Sequence, residues 1–134
     1  MTSAVELCIQ ALLADPGVAL IASSRVFAIA APQKVTRPAI VVSLVSEDRT
    51  MILGGPAQWP DSRVQALCMA STALGAISTG ERVIAALEVL SNYNPEPGVY
   101  AAFTKTGPDF TNYVDDLSLF ARFLDWRIQW RPAP

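Results

Sequence analysis

An alternating pattern near the end of the chain constrains the fold most strongly. Residues 124–131, LDWRIQWR, place large apolar side chains at every second position and polar ones between them. Successive side chains of a strand point to opposite faces, so this segment predicts a strand with one buried and one wet face. Such strands are typical of antiparallel sheets covered on one side. Trp126 and Trp130 are therefore assigned to the core, and Arg127 and Arg131 to the wet face.

Two main helices are predicted from capping residues and helical spacing. Ser3, with Glu6 three residues later, begins the first helix. Asp15-Pro16-Gly17 ends it, and 18–22 adds one short turn. The second helix follows Ser71 or Thr72 and extends to about residue 90. The apolar residues at helical spacing are Val5, Cys8, Ile9, Leu12 and Leu13 in the first helix, and Ala73, Ala76, Ile77, Gly80, Val83, Ile84 and Leu87 in the second.

The remaining segments complete the predicted architecture. Strands are expected over 25–30, 39–47, 63–70 and 99–105, with a loop or hairpin excursion over 48–62 and a polar loop over 107–116. This order predicts one α+β domain over residues 1–134. Its sheet is mainly antiparallel, with four to five strands and two main helices packed on one face.

Composition limits the classes of function. The 134 residues are 51% hydrophobic and 16% charged, with a net charge of −2. This argues against a disordered chain and against a protein that grips nucleic acid by neutralising phosphates. The longest apolar run, 26–31, is far shorter than a membrane span, and no basic segment precedes Arg25, so a soluble protein made in the cytoplasm is expected. The scarcity of charge favours an oligomer that buries apolar surface between chains.

The sequence offers little catalytic chemistry. It has no histidine, no GxSxG or SxxK motif, and two cysteines sixty positions apart, Cys8 and Cys68, which are predicted to be packed thiols. Gly54-Gly55-Pro56 lacks the residues of a phosphate loop, and the acidic pairs Glu47-Asp48 and Asp115-Asp116 are adjacent acids of the kind usually solvated. We therefore expect no enzyme, cofactor or metal site.

Two groups of residues are candidates for an interface instead. The segment 48–62 carries apolar side chains that an ordinary solvent loop would not favour, and a Trp in a Gly/Pro-rich loop often packs outside its own element. Arginines on a wet strand face are a second feature common at interfaces. The candidate interface residues are Arg49, Met51, Ile52, Leu53, Trp59, Arg127 and Arg131.

The order of short motifs resembles one family over nearly the whole chain. The motifs are ALLADP at 11–16, SRVF at 24–27, APQ at 31–33, RPAIVV at 37–42, RVQA at 63–66 and FLDWRIQW at 123–130. Together they are similar to the tail-completion, or tail terminator, proteins of long-tailed phages and gene transfer agents. No single residue is carried over from that family as a defined contact.

The resemblance implies structural work in a virion. Proteins of this family form a hexameric ring on the head-proximal end of the tail tube, end tube polymerisation and present a surface to the head-completion or stopper protein. DNA passes through the lumen without specific binding. The expected partners are thus further copies of the chain, the tail tube protein and the head connector, and the expected location is the head–tail junction, after assembly in the host cytoplasm.

Two other interpretations remain open at this stage. A head-closure or adaptor protein of the neck would have similar size, although adaptors are mainly helical and head-closure proteins tend towards small β-barrels. A small cytosolic α+β binding domain is the other alternative, because sequence alone does not exclude a pocket.

Overall fold

A computed structural model describes residues 3–31, 36–48, 51–52, 55–56, 60–115 and 118–131, with side chains described at all of these except 51–52 and 55–56. The elements in chain order are α1 (Ala4–Ala14), α2 (Pro16–Ala22), β1 (Val26–Ala28), β2 (Ala39–Asp48), β3 (Met51–Ile52), β4 (Gly55–Pro56), β5 (Asp61–Ala70), α3 (Ala73–Leu87), β6 (Tyr100–Val114) and β7 (Leu119–Arg131). The predicted α+β class is confirmed.

Five strands form one sheet in the order β1-β2-β5-β7-β6, and β3 pairs with β4 as a separate small hairpin. All neighbouring pairs in the large sheet are antiparallel except β1 and β2. β5 and β6 therefore run in the same direction, with β7 between them. Helix α3 makes the connection from β5 to β6, as the sequence predicted.

The helices begin where side chains cap their first turn. The Ser3 hydroxyl accepts a hydrogen bond from the Glu6 amide, and Thr72 serves the same purpose for Gly75 at α3. Asp15 ends α1 and caps α2, since its carboxylate accepts from the Val18 amide at 2.9 Å. The predicted N-cap Ser3 is confirmed, and of the two predicted alternatives Ser71 and Thr72 the second helix uses Thr72.

The main core lies between the three helices and one face of the sheet. Every second residue of β7 from Leu124 to Trp130 is fully buried there. The helical side is supplied by Leu7, Leu12, Val18, Val83 and Leu87, and the other strands add Ile40, Val42, Val64, Ala66, Ala101 and Phe103. The predicted core positions of Trp126 and Trp130 are thus confirmed.

Two residues of the predicted helical stripes lie outside the core. Leu13 is 44% exposed because the buried arc of α1 is centred on Leu7, Cys8 and Ala11, and a residue one step beyond Leu12 points about 100° away. Ile77 of α3 is also exposed, whereas Thr79, which the predicted stripe did not include, is buried. The Thr79 hydroxyl donates to the Gly75 carbonyl at 2.8 Å, which satisfies its hydrogen-bonding need inside the core.

The predicted polar loop over 107–116 is wrong for most of its length. Strand β6 continues to Val114 and pairs with β7 up to Leu119. A register shift between Thr106 and Phe110 absorbs Gly107 and Pro108, and Gly107 takes a positive φ of 65°. The breakers thus form a β-bulge inside a long hairpin because β7 supplies a partner on both sides of it. Asp116 lies outside the described residues.

The segment 48–62 is a hairpin excursion rather than a plain loop. β2 extends through Asp48, β5 starts at Asp61, and the short strands β3 and β4 pair between them. This agrees with the second of the two predicted alternatives. Among the described residues, no single helix has the length and hydropathy to cross a membrane. Helices α1 and α2, bent by 87° at the break between them, reach the required length and composition only when counted together.

Both cysteines are packed thiols, as predicted. Cys8 on α1 and Cys68 on β5 are fully buried, and burial raises the pKa of each to about 12. A thiol reagent needs access to the thiolate, which burial and a raised pKa both disfavour in the folded protein.

We therefore expect the native protein not to react with a thiol reagent such as DTNB at pH 8. On unfolding in guanidinium chloride, both thiols should react and release two equivalents of thionitrobenzoate per chain. Absorbance at 412 nm measures the reaction. Rapid labelling of one thiol without denaturant would contradict the burial of that cysteine.

Candidate functional site

The face of the sheet that points away from the helices has two chemically different ends. Near the β3–β4 hairpin it is charged and wet. At the opposite end, near the turn between β6 and β7, a second buried cluster includes Val41, Met69 and Ala121. Within the described part of the chain no helix covers this face, so we call it the helix-free face.

The charged end is organised by an ion pair between the neighbouring strands β5 and β7. Arg127 of β7 holds the Asp61 carboxylate in a fork, with its Nε 2.9 Å from both oxygens and its Nη2 2.6 Å from Oδ2. This hydrogen bonding raises the pKa of Arg127. Arg63 stands 3.9 Å from Asp125 in a looser contact. Both pairs are substantially exposed, so their value lies in fixing side-chain positions more than in stability.

Asp61, Arg63 and Arg127 help to line an open groove of about 280 Å³ at the hairpin end of the sheet. Its lining combines both signs of charge with hydroxyl groups: Ser46, Glu47, Asp48, Asp61, Arg63, Thr106 and Arg127. An open groove whose lining side chains carry both signs of charge is typical of a polar protein contact rather than of an enclosed small-molecule pocket.

A hydrogen-bond chain that begins at the buried Trp130 fixes the base of the hairpin. The indole Nε1 of Trp130 donates to the Ser62 hydroxyl at 3.0 Å, and that hydroxyl donates to Glu47 Oε1 at 2.7 Å. Ser62 is fully buried. These two hydrogen bonds connect the core residue Trp130 to the start of β5 and to the end of β2. The hairpin excursion leaves the sheet between these two strand ends.

The structure brings part of the predicted interface set together. Arg127 and Arg131 lie exposed on the helix-free face, as the alternation predicted. Met51 and Ile52 form β3, which is adjacent in sequence to the charged end of β2. Arg49, Leu53 and Trp59 lie outside the described residues. Asp61, which the sequence analysis did not single out, positions Arg127.

The sequence analysis missed a second charged cluster, on the helix side of the sheet. Arg122 has a side chain only 9% exposed, and it is held by Asp109 of β6, by Glu81 of α3 and by the Ile77 carbonyl. Lys105 adds a further contact with Asp109 at 3.0 Å. The signal was present in the alternation: Arg122 is in phase with the core residues of β7, where a charge needs buried partners.

A glycine on α3 makes room for this arginine. A Cβ at Gly80 would overlap the Cδ of Arg122 and lie 2.9–3.0 Å from its Nη1 and Nε. Burial disfavours the charge of Arg122, but hydrogen bonds to Asp109 and Glu81 outweigh it and raise the pKa. The same bonds, from Arg122 first and Lys105 second, lower the pKa of Asp109. The cluster joins α3 to the bulged part of β6.

No set of three ligating side chains is grouped as a metal site in the part of the chain that the structure describes. Of the acidic pairs, Glu47 accepts the Ser62 hydroxyl, and Asp48 lines the groove. The arrangement offers ion pairs and hydrogen bonds suited to a protein surface.

Comparison with known proteins shows a likeness to solved structures. No family model matches the chain, and no curated protein matches it. Among solved structures, a chain of the virion of a native gene transfer agent (GTA) particle matches with a TM-score of 0.62 and 20% identity, covering 98% of this chain and 100% of that one. At this identity the likeness shows a shared fold over the whole length of both chains.

The Asp109–Arg122 pair predicts a specific dependence of stability on pH. Because the folded-state pKa of Asp109 is lowered from 3.8, its ionised form stabilises the fold above about pH 4, and this contribution is lost as the pH falls through the folded-state value. We expect Asp109→Asn to lower the free energy of unfolding at pH 7, with the difference from wild type shrinking below pH 4.

Urea unfolding at pH 7 and at several values down to pH 2.5 measures this difference. Glu88→Gln, at an exposed position just beyond α3, is the matched control, and it should change stability at pH 7 by less than about 0.5 kcal/mol. A deficit of Asp109→Asn that stays constant over the whole pH range would contradict the role of the pair.

Proposed function

We propose that this chain is a structural protein of a phage-like virion or gene transfer agent that caps the head-proximal end of the tail tube. As a hexameric ring it would end tube polymerisation and join the tail to the head-completion or stopper protein. The genome would pass through the ring without specific binding. The role is non-enzymatic.

The observation that carries this proposal is the full-length match to a chain of a gene transfer agent virion. Coverage of 98% of this chain and 100% of the other means that the likeness spans both chains from end to end. A likeness of fold supports a related role only by analogy. The motif order that resembles tail terminators adds independent support.

The architecture favours the terminator over its rivals. An open five-stranded sheet with α3 packed on it differs from the mainly helical adaptors and from the small β-barrels expected of head-closure proteins. The groove at the hairpin end is open and is lined by charged and hydroxyl-bearing residues, which gives little support to a small-molecule binding domain.

The surface chemistry suits a ring. A closed ring of identical subunits uses two different patches on each subunit, which meet head to tail. The charged end of the helix-free face and the exposed residues Phe110 and Tyr113 of β6 provide chemically distinct patches. A net charge of −2 is suited to a lumen through which DNA slides, because a basic lumen would hold phosphates by counterion release.

The first prediction from this proposal concerns assembly. We expect the purified protein, alone or on added tail tubes, to form particles of about six times its 14.4 kDa mass, with a central hole wide enough for duplex DNA. Native mass spectrometry and negative-stain images of the same sample measure both. A monomer that also fails to bind purified tail tubes would overturn the proposal and favour the small binding domain.

The second prediction concerns the charged end and the hairpin. We propose that they contact the tube or the next subunit, so Arg131→Glu and Trp59→Ala should each weaken capping of tail tubes by about tenfold, equivalent to about 1.4 kcal/mol. Arg82→Glu is the matched control, because Arg82 is exposed on α3, on the other side of the sheet.

Co-sedimentation of each variant with tail tubes, over a range of protein concentration, gives the apparent affinity. Circular dichroism and urea unfolding check that the variants fold. Normal capping by both Arg131→Glu and Trp59→Ala would remove the charged end and the hairpin from the contact surface.

A further inference from the structure

The two outer edges of the large sheet differ in how they are protected against pairing with another chain. An edge strand offers unpaired amide and carbonyl groups, and monomeric proteins usually block them with charge, proline, bulges or very short strands. The first edge is formed by β1 and by the part of β2 that β1 leaves uncovered; the second is formed by β6.

The beginning of β6 is blocked in several ways. The Tyr93 backbone pairs with Ala101, and the Phe103 amide donates to the Leu90 carbonyl. Lys105 and the bulge with Pro108 then protect the middle of the strand.

Beyond the bulge this protection ends. Residues 110–114, FTNYV, have strong β-propensity and contain no charge, glycine or proline. Phe110 is 56% exposed although it stacks on Phe123, and Tyr113 is 47% exposed. In the described part of the chain no strand pairs with the outer side of this segment.

The opposite edge has the same character. Strand β1 covers β2 only from Ile40 to Val42. The next four residues, SLVS at 43–46, contain no charge, and no described strand pairs with their outer side. Ile29, which follows β1 and donates its amide to the Val42 carbonyl, is 77% exposed, and Leu44 and Val45 are about half exposed.

We infer that residues 110–114 of one copy pair, strand to strand, with the β1–β2 edge of a second copy. Each edge supplies backbone donors and acceptors that the other needs, and both expose large apolar side chains that such pairing would cover. Within one sheet, β6 runs antiparallel to β1 and β2. If the strands of every copy lie along the ring axis, β6 of one copy is therefore also antiparallel to β1 and β2 of the next copy.

The contact uses different edges of the two copies, so it is heterologous and is able to close into a ring. The inference rests on the proposed function for the number of copies, but the pairing of edges stands on the geometry of the sheet.

Disulfide cross-linking tests which edges meet. Asn112→Cys, exposed in the middle of the FTNYV segment, is mixed with Ala28→Cys or with Ser46→Cys, both exposed on the first edge. The native thiols, buried and with raised pKa, do not compete. We expect a cross-linked dimer in at least one of the two mixtures, and a ladder of higher multiples when both cysteines are in one chain.

A charge on the edge tests whether the pairing holds the assembly together. Asn112→Lys should shift the native mass from the oligomer to the 14.4 kDa monomer at a concentration where wild type is assembled. Thr104→Lys is the matched control, because Thr104 is exposed on the same strand before the bulge, and it should leave the mass unchanged. Circular dichroism checks that both variants fold.

The outcomes separate this inference from the proposed function. A hexamer that survives Asn112→Lys and gives no mixed cross-link overturns the edge pairing and leaves the ring intact. Cross-linking of Asn112→Cys only to itself would mean two-fold pairing of β6 with β6 and would also overturn it. If mixed cross-links form and assembly depends on the edge, but the protein does not bind tail tubes, the edge pairing is supported and the proposed function is overturned.

Discussion

The burial of one face of β7 is the interaction on which the rest of the structure depends. This strand pairs with β5 on one side and with β6 on the other, and its residues Leu124, Trp126, Ile128 and Trp130 are fully buried under the helices. Each such side chain contributes about 1.5–3 kcal/mol when buried. A slip of one residue would expose all four and bury Asp125 and Arg127 instead, so the register of the central strand is strongly determined.

The same register determines what the other face can do. Since every even position of β7 from Leu124 is committed to the core, Arg127 and Arg131 must point away from the helices, where Asp61 of the next strand holds Arg127. The charged end of the helix-free face is thus a direct consequence of packing on the opposite side. Trp130 connects the two, because its indole nitrogen reaches the base of the hairpin through Ser62.

The parts of the fold that were predictable from the sequence are those in which local pattern and tertiary packing agree. The alternation of β7, the caps Ser3 and Thr72 and the apolar strand β2 are of this kind. The continuation of β6 through Gly107-Pro108 was not predictable, because the paired hairpin strand overrides a local breaker. Arg122 was missed since its partners Asp109 and Glu81 are distant in sequence and meet only after α3 packs on the sheet.

The distribution of the few charged residues links the fold to assembly. With only 16% of its residues charged, the chain places an Arg–Asp–Lys–Glu cluster where α3 meets the bulge of β6 and a second charged group at the hairpin end. Both sheet edges are left with uncharged segments that expose Phe110, Tyr113, Ile29 and Leu44. Edges of this kind favour uncontrolled association unless a defined partner covers them. The proposed ring would satisfy that need, because pairing the first edge of each copy with the second edge of the next leaves no open edge when the ring closes, whereas a dimer formed through one edge leaves the other exposed.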